Sequence, residues 1–138
     1  VITLAAMAEE VHQDMAQGDQ PSYVLACLDA RMHEVYAAAY RCTADGVEEI
    51  MAPAVLRPDA LVLPDVEAAW IGCGNGFATY PDLLRGTLAE ARPDIHPHAR
   101  SVARLALPRF LAGAAGPAES AEPFYVRDKV ALKTCERQ

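Results

Sequence analysis

The sequence predicts an α/β domain: three antiparallel strands, then alternating helices and strands, all in one mixed sheet. Three observations predict it. A leading stretch has helical apolar periodicity; three apolar runs of strand length follow at hairpin spacing; and from residue 68 onward strand-like and helix-like segments alternate. With 138 residues, 52% apolar and 22% charged, the chain is long enough to bury one core and has ordinary globular composition.

Residues 2–17 predict an amphipathic helix within a leading segment 1–18, with Leu4, Ala8, Val11 and Met15 on one stripe and Glu9, Glu10 and Asp14 off it. Gly18-Asp19-Gln20-Pro21 supplies the stop signal. Tyr23–Leu28 and Val35–Arg41 read as two strands of a hairpin joined by the polar segment Asp29–Glu34, and Val47–Ala52 as a third strand after the Asp45-Gly46 turn. Pro53–Pro64 suggests a short helix or irregular crossover, and Ala68–Cys73 a further strand. A helix is expected over Tyr80–Ala91 on the stripe Leu83, Leu84 and Leu88, then a short fifth strand at Ile95. Pro97 suits the first turn of a last helix burying Val102, Leu105, Ala106 and Phe110, with Pro108 kinking it or starting a new segment. Gly113–Ser120 reads as a loop, and 119–138 as a tail that begins extended. This order describes a ribonuclease-H-like lobe, the building block of actin-like ATPases, which fixes no activity by itself.

Net charge is −7, and between Asp45 and Glu67 six acids meet the single base Arg57, so no direct nucleic-acid binding is expected. No apolar run reaches the ~20 residues of a bilayer-spanning helix, and no secretory signal is visible. The cysteines Cys27, Cys42, Cys73 and Cys135 show no C-x-x-C spacing, and the expectation is buried reduced thiols in a cytosolic protein. Val1 leads straight into helical periodicity, as if cut from a longer chain.

Two segments carry a family resemblance. Leu28-Asp29-Ala30-Arg31-Met32-His33-Glu34-Val35-Tyr36 and Ala121-Glu122-Pro123-Phe124-Tyr125-Val126-Arg127 resemble the Asp-Ala-Arg/Glu-Val-Tyr run and the Glu-Pro-x-Tyr-x-Arg ending of the TsaB (YeaZ) family. Trp70–Gly74 and Tyr80–Leu83 fall between them in the expected order. The resemblance implies a bacterial cytoplasmic scaffold working with TsaD and TsaE to install threonylcarbamoyl on the tRNA adenosine beside the anticodon. It implies a C-terminal actin-like lobe without catalytic role or cofactor. The family's Asp-rich first strand and Ser-Phe-Thr-Gly loop do not occur here, and the usual dimer and TsaD contacts are expected in that other lobe.

Several residues carry candidate chemistry. Asp29 occupies the position from which actin-like lobes aim an acid at nucleotide phosphates, but Ala30, Arg31 and Met32 stand where glycines would admit a phosphate. The favoured reading has Asp29 and Arg31 fixing the hairpin; if functional, Arg31 and Glu34 face an interlobe cleft. Tyr125 and Arg127 form a docking strip or pack on their own domain. Gly72, Gly74 and Gly76 sit between a strand and a helix without matching G-x-G-x-x-G, which favours a tight turn needing positive φ over a degenerate nucleotide site. His96 and His98 find no convincing third metal ligand, and H-E-x-x-H is absent. The alternative function is a degenerate nucleotide-binding or M22 peptidase-like domain. An apolar first helix left uncovered would favour homo-association.

Overall fold

The computed structural model describes residues 1–15 and 20–127. The elements are α1 (Thr3–Met15), β1 (Ser22–Arg31), β2 (Glu34–Thr43), β3 (Gly46–Leu56), β4 (Trp70–Cys73), α2 (Gly76–Thr79), β5 (Leu88–Arg92) and α3 (Ala99–Leu111), with single 3₁₀ turns at Pro58–Ala60 and Ala118–Ser120. One five-stranded sheet has the order β3-β2-β1-β4-β5. β1 pairs antiparallel with β2, and β2 with β3; β4 runs parallel to β1, and β5 parallel to β4. The predicted mixed sheet is therefore present.

β1 and β2 read as continuous apolar runs because both faces of the sheet are covered. Val24 and Ala26 face the layer formed by Leu4, Met7, Ala8 and Val11 of α1. Their neighbours Leu25 and Cys27 face the opposite layer, with Leu61, Trp70 and Phe77. Burying a Met7 or Val11 side chain completely contributes roughly 1.5–3 kcal/mol each. Against this, the buried Tyr40 hydroxyl has no partner among the described residues, at a cost of about 1–3 kcal/mol.

Several expectations are corrected. β3 does not stop at Ala52 but runs through Pro53 to Leu56. It is the sheet edge, and the register slips opposite Ala37–Ala39, so the missing N–H of Pro53 is tolerated there. The helix expected over Tyr80–Ala91 does not form; turns occupy 81–87 and β5 follows. Leu84 and Gly86 both take positive φ, which breaks any helix, and Leu83, Leu84 and Leu88 instead pack directly on the second layer. The fifth strand is thus Leu88–Arg92, and Ile95 lies beyond it in a turn-rich segment. Pro97 precedes the cap His98 rather than opening α3. The stop signal at Gly18-Asp19, Cys135 and the tail past Arg127 lie outside the described residues.

The two outer helices differ most from expectation. Glu9 and Glu10, placed off the apolar stripe, are buried, whereas Met15 on the stripe is exposed. In α3 the only buried residue is Ser101; Val102 and Phe110 are exposed, Leu105 and Ala106 half-buried, and Pro108 lies inside the helix. The reason is polar. Arg100 donates to both oxygens of Glu10, Nε at 3.1 Å and Nη2 at 2.6 Å, and the Ser101 hydroxyl donates to the same carboxylate. α3 is pinned to α1 through this pair at its first turn, so its apolar side chains are not needed for docking.

The Arg100 guanidinium beside Glu10 holds its carboxyl well below the usual range, at about 2 instead of 4.5, with the Ser101 hydroxyl adding to the effect. A depressed carboxylate contributes stability that is complete above its unfolded value and is lost as pH falls toward the folded one. Urea unfolding between pH 5 and pH 2 should show the parent losing about 1–3 kcal/mol more than Glu10→Gln, the range allowing for the exposure of Arg100.

Candidate functional site

The tip of the β1–β2 hairpin is a two-residue loop, Met32-His33, closed by the Arg31–Glu34 pair. Arg31, Met32 and His33 all have positive φ, at 62°, 55° and 59°. Positive φ at both central residues matches the twist of the strands, but side chains other than Gly or Asn hold it at roughly 1–2 kcal/mol each. The surroundings hold the tip in place. An Asp29 carboxylate oxygen accepts the Arg31 N–H at 3.0 Å, and the Arg31 guanidinium stands 3.6 Å from the same side chain. Asp29 therefore lies within the strand, two residues before its end, next to the register shift.

On the other flank the tail returns to the hairpin. Arg127 Nη2 donates to Glu34, Nη1 reaches Met32 Sδ at 3.2 Å, and the guanidinium carbon lies 5.7 Å from the centre of the Tyr36 ring. The Arg127 side chain is only 9% exposed and Glu34 33%, so this is a part-buried ion pair with an aromatic wall. The structure brings Glu34, Tyr36 and Arg127 together across 91 to 93 residues of chain. Tyr125 does not join them: it is 79% exposed, beside Phe124, which is also exposed. Arg31 also presents its guanidinium to solvent.

The glycine turn after β4 packs inward. Gly74 has φ 104°, and a Cβ there would lie 2.3 Å from the Cys27 carbonyl oxygen and 2.4 Å from Met7 Cε. At Gly76 a Cβ would meet Cys27 Sγ at 2.5 Å, and at Gly72 the Phe77 ring at 2.5 Å. Only Gly74 of the three needs positive φ; the other two are glycine for close approach. Sequence reasoning passed over Asn75, whose Oδ1 accepts the Asp29 N–H at 2.9 Å and so ties this turn to the hairpin. Its signal was the polar residue inside a glycine triplet, but its partner is 46 residues away.

Cys27, Cys42 and Cys73 are buried free thiols. Burial pushes Cys27 and Cys42 up to about 12, and Cys73 also upward, far from the depressed values of reactive cysteines. His96 and His98 are exposed ahead of α3. Among the described residues no group of three His, Cys, Asp or Glu side chains could hold a metal ion, and no helix is long and apolar enough to cross a membrane.

Two outcomes follow from this geometry. Gly74→Ala should cost roughly 2–4 kcal/mol in urea unfolding, well above the ~1 kcal/mol of Gly86→Ala, where positive φ is the only obstacle and the space is open. Glu34→Gln should release the tail, seen as at least a several-fold faster tryptic cut after Arg127 at unchanged sheet stability.

No family model matches the chain. It is 34% identical over 130 residues to the tRNA threonylcarbamoyladenosine biosynthesis protein TsaB of Escherichia coli (strain K12), a match covering 86% of this chain and 55% of that protein. Among solved structures it resembles a Pseudomonas aeruginosa protein described as uncharacterized with similarity to peptidase YEAZ (TM-score 0.81, 29% identity, 92% of this chain and 57% of that one). It also resembles YeaZ from Pseudomonas aeruginosa, with a TM-score of 0.79, 29% identity, and coverage of 91% and 57%. The chain thus spans little more than half the length of these relatives. In sequence and in fold the chain is similar to the TsaB/YeaZ family, over a length consistent with a single lobe.

Proposed function

We propose that this chain is a non-catalytic scaffold lobe, the C-terminal one, acting with TsaD and TsaE in threonylcarbamoyl modification of the tRNA adenosine beside the anticodon. The observation that carries this reading is the meeting of the two family-like segments in space: Glu34 and Tyr36 from the first, Arg127 from the second. Residues so far apart in sequence and so closely packed support a shared structural purpose for both motifs. The TsaB relative, named for tRNA threonylcarbamoyladenosine biosynthesis, supplies the process.

Under this reading the hairpin tip is the interaction face. Arg31 offers an exposed guanidinium, Asp29 and Glu34 fix its backbone and its neighbour, and Tyr125 adds an exposed aromatic beside Arg127. Such a tip, flanked by one exposed and one buried arginine, suits protein recognition better than chemistry. The reading as a nucleotide or peptidase site is weaker. Gly72, Gly74 and Gly76 spend their missing side chains on contact with Cys27, Met7 and Phe77, leaving no cradle for a phosphate. The acid-rich 45–67 stretch leaves tRNA to be held by other components.

A chimaera tests this directly. With this chain replacing the matching segment of Escherichia coli TsaB, threonylcarbamoyl transfer in the presence of TsaD and TsaE should stay within about ten-fold of the parent, a difference near 1.4 kcal/mol. Arg31→Glu in the chimaera should lower it further. A folded chimaera that gives no transfer would contradict the scaffold reading.

A further inference from the structure

Arg127 is short of hydrogen-bond acceptors. Nη2 donates to the Glu34 carboxylate, whereas the partner of Nη1 is the Met32 thioether at 3.2 Å. Nε is buried and meets no acceptor among the described residues. A thioether sulfur accepts only weakly, so among the described residues this 9% exposed guanidinium is held by a single strong acceptor. The sulfur side chain is open to solvent: Met32 is 46% exposed, on the two-residue tip of the hairpin.

Most other sulfur atoms are badly placed for oxidation. Met7 is buried and Met51 half-buried. The thiols of Cys27, Cys42 and Cys73 are buried too, and burial raises Cys27 and Cys42 to about 12, away from the reactive thiolate form. Met15, at the end of α1, is 38% exposed and serves as an internal reference.

We propose that Met32 is a modification site: a hydroperoxide converts its thioether to the sulfoxide, whose oxygen accepts the Arg127 Nη1 hydrogen bond and tightens the tail on the hairpin. A sulfur lone pair attacks one peroxide oxygen, forming the S–O bond as the O–O bond breaks. The proton on the attacked oxygen passes to the departing one, which leaves as an alcohol, or as water from hydrogen peroxide. Sulfur is oxidised and the peroxide is reduced by the same electron pair. The sulfoxide oxygen is a much stronger acceptor than the thioether, and its bond to a guanidinium is charge-assisted. Room for the added atom comes from a small retreat of the flexible, exposed Met32 side chain. The backbone of the tip can stay where Asp29 and the Arg31–Glu34 pairing hold it.

Neither TsaD nor TsaE enters the test, so a failure here leaves the scaffold role standing. The chain carrying Cys135→Ser, whose remaining thiols are all buried, is treated with hydrogen peroxide and mapped by mass. Met32 should gain one oxygen at least as fast as Met15. The tryptic cut after Arg127, which needs its guanidinium free of Glu34 and Met32, should then slow roughly five-fold. Methionine sulfoxide reductases should restore the original rate. Met32→Leu in the same background cannot take up the oxygen and should show no slowing after peroxide, which separates the effect from oxidation of Met15. An unchanged or faster cut in the oxidised parent would overturn the inference. Equal slowing in Met32→Leu would overturn it too, as would oxidation of Met15 with Met32 untouched.

Discussion

The fold depends on one close approach, that of the glycine turn after β4 to the backbone of β1. β4 can lie parallel to β1 and still leave the sheet within three residues only if Gly74 sits against the Cys27 carbonyl and Gly76 against its thiol. That contact brings Asn75 within reach of the Asp29 N–H. Asp29 itself stays in register opposite Val35, and the strand shifts register only between Asp29 and Arg31. Beyond that shift lies the strained hairpin tip, with three successive positive φ values. The turn is packed against its own sheet.

Around this contact the molecule is held by polar pairs of unequal burial. Glu10 with Arg100 and Ser101 fixes α3 to α1, and Glu34 with Arg127 fixes the tail to the hairpin. Neither pair adds much net stability compared with apolar residues of the same shape, but removing one partner strands the other. Their contribution is to specify where the last helix and the tail attach. The rest of α3 stays largely uncovered, with Leu107, Phe110 and Leu111 exposed, and gains nothing from its own apolar stripe.

The strands were legible in the sequence because both sheet faces are buried, which gives unbroken apolar runs ended by Asp45-Gly46 and Gly72–Gly76. The family motifs were legible because they are short and contiguous. What was illegible has a common cause. Leu83, Leu84 and Leu88 look like one helical stripe, yet Leu83 and Leu84 pack from a turn and Leu88 from β5, all against the layer that holds Phe77 and Leu61. Asp29–Asn75, Glu34–Arg127 and Glu10–Arg100 join residues 46, 93 and 90 positions apart, and no local pattern announces such pairs. The burial of Glu9 and Glu10 follows from α1 being sandwiched between sheet and α3, which helical periodicity alone does not show.

The central claim is that the Gly72–Gly76 turn and Asp29 form a packing joint, leaving the lobe to act through its surface. The most direct measurement follows the backbone amides of Asp29, Gly74, Asn75 and Gly76 by NMR while Mg-ATP is added to millimolar concentration. The account predicts that these resonances do not move, because the glycines are occupied by Cys27, Met7 and Phe77. Saturable shifts centred on those four residues would contradict it and reinstate a nucleotide site at the end of β4.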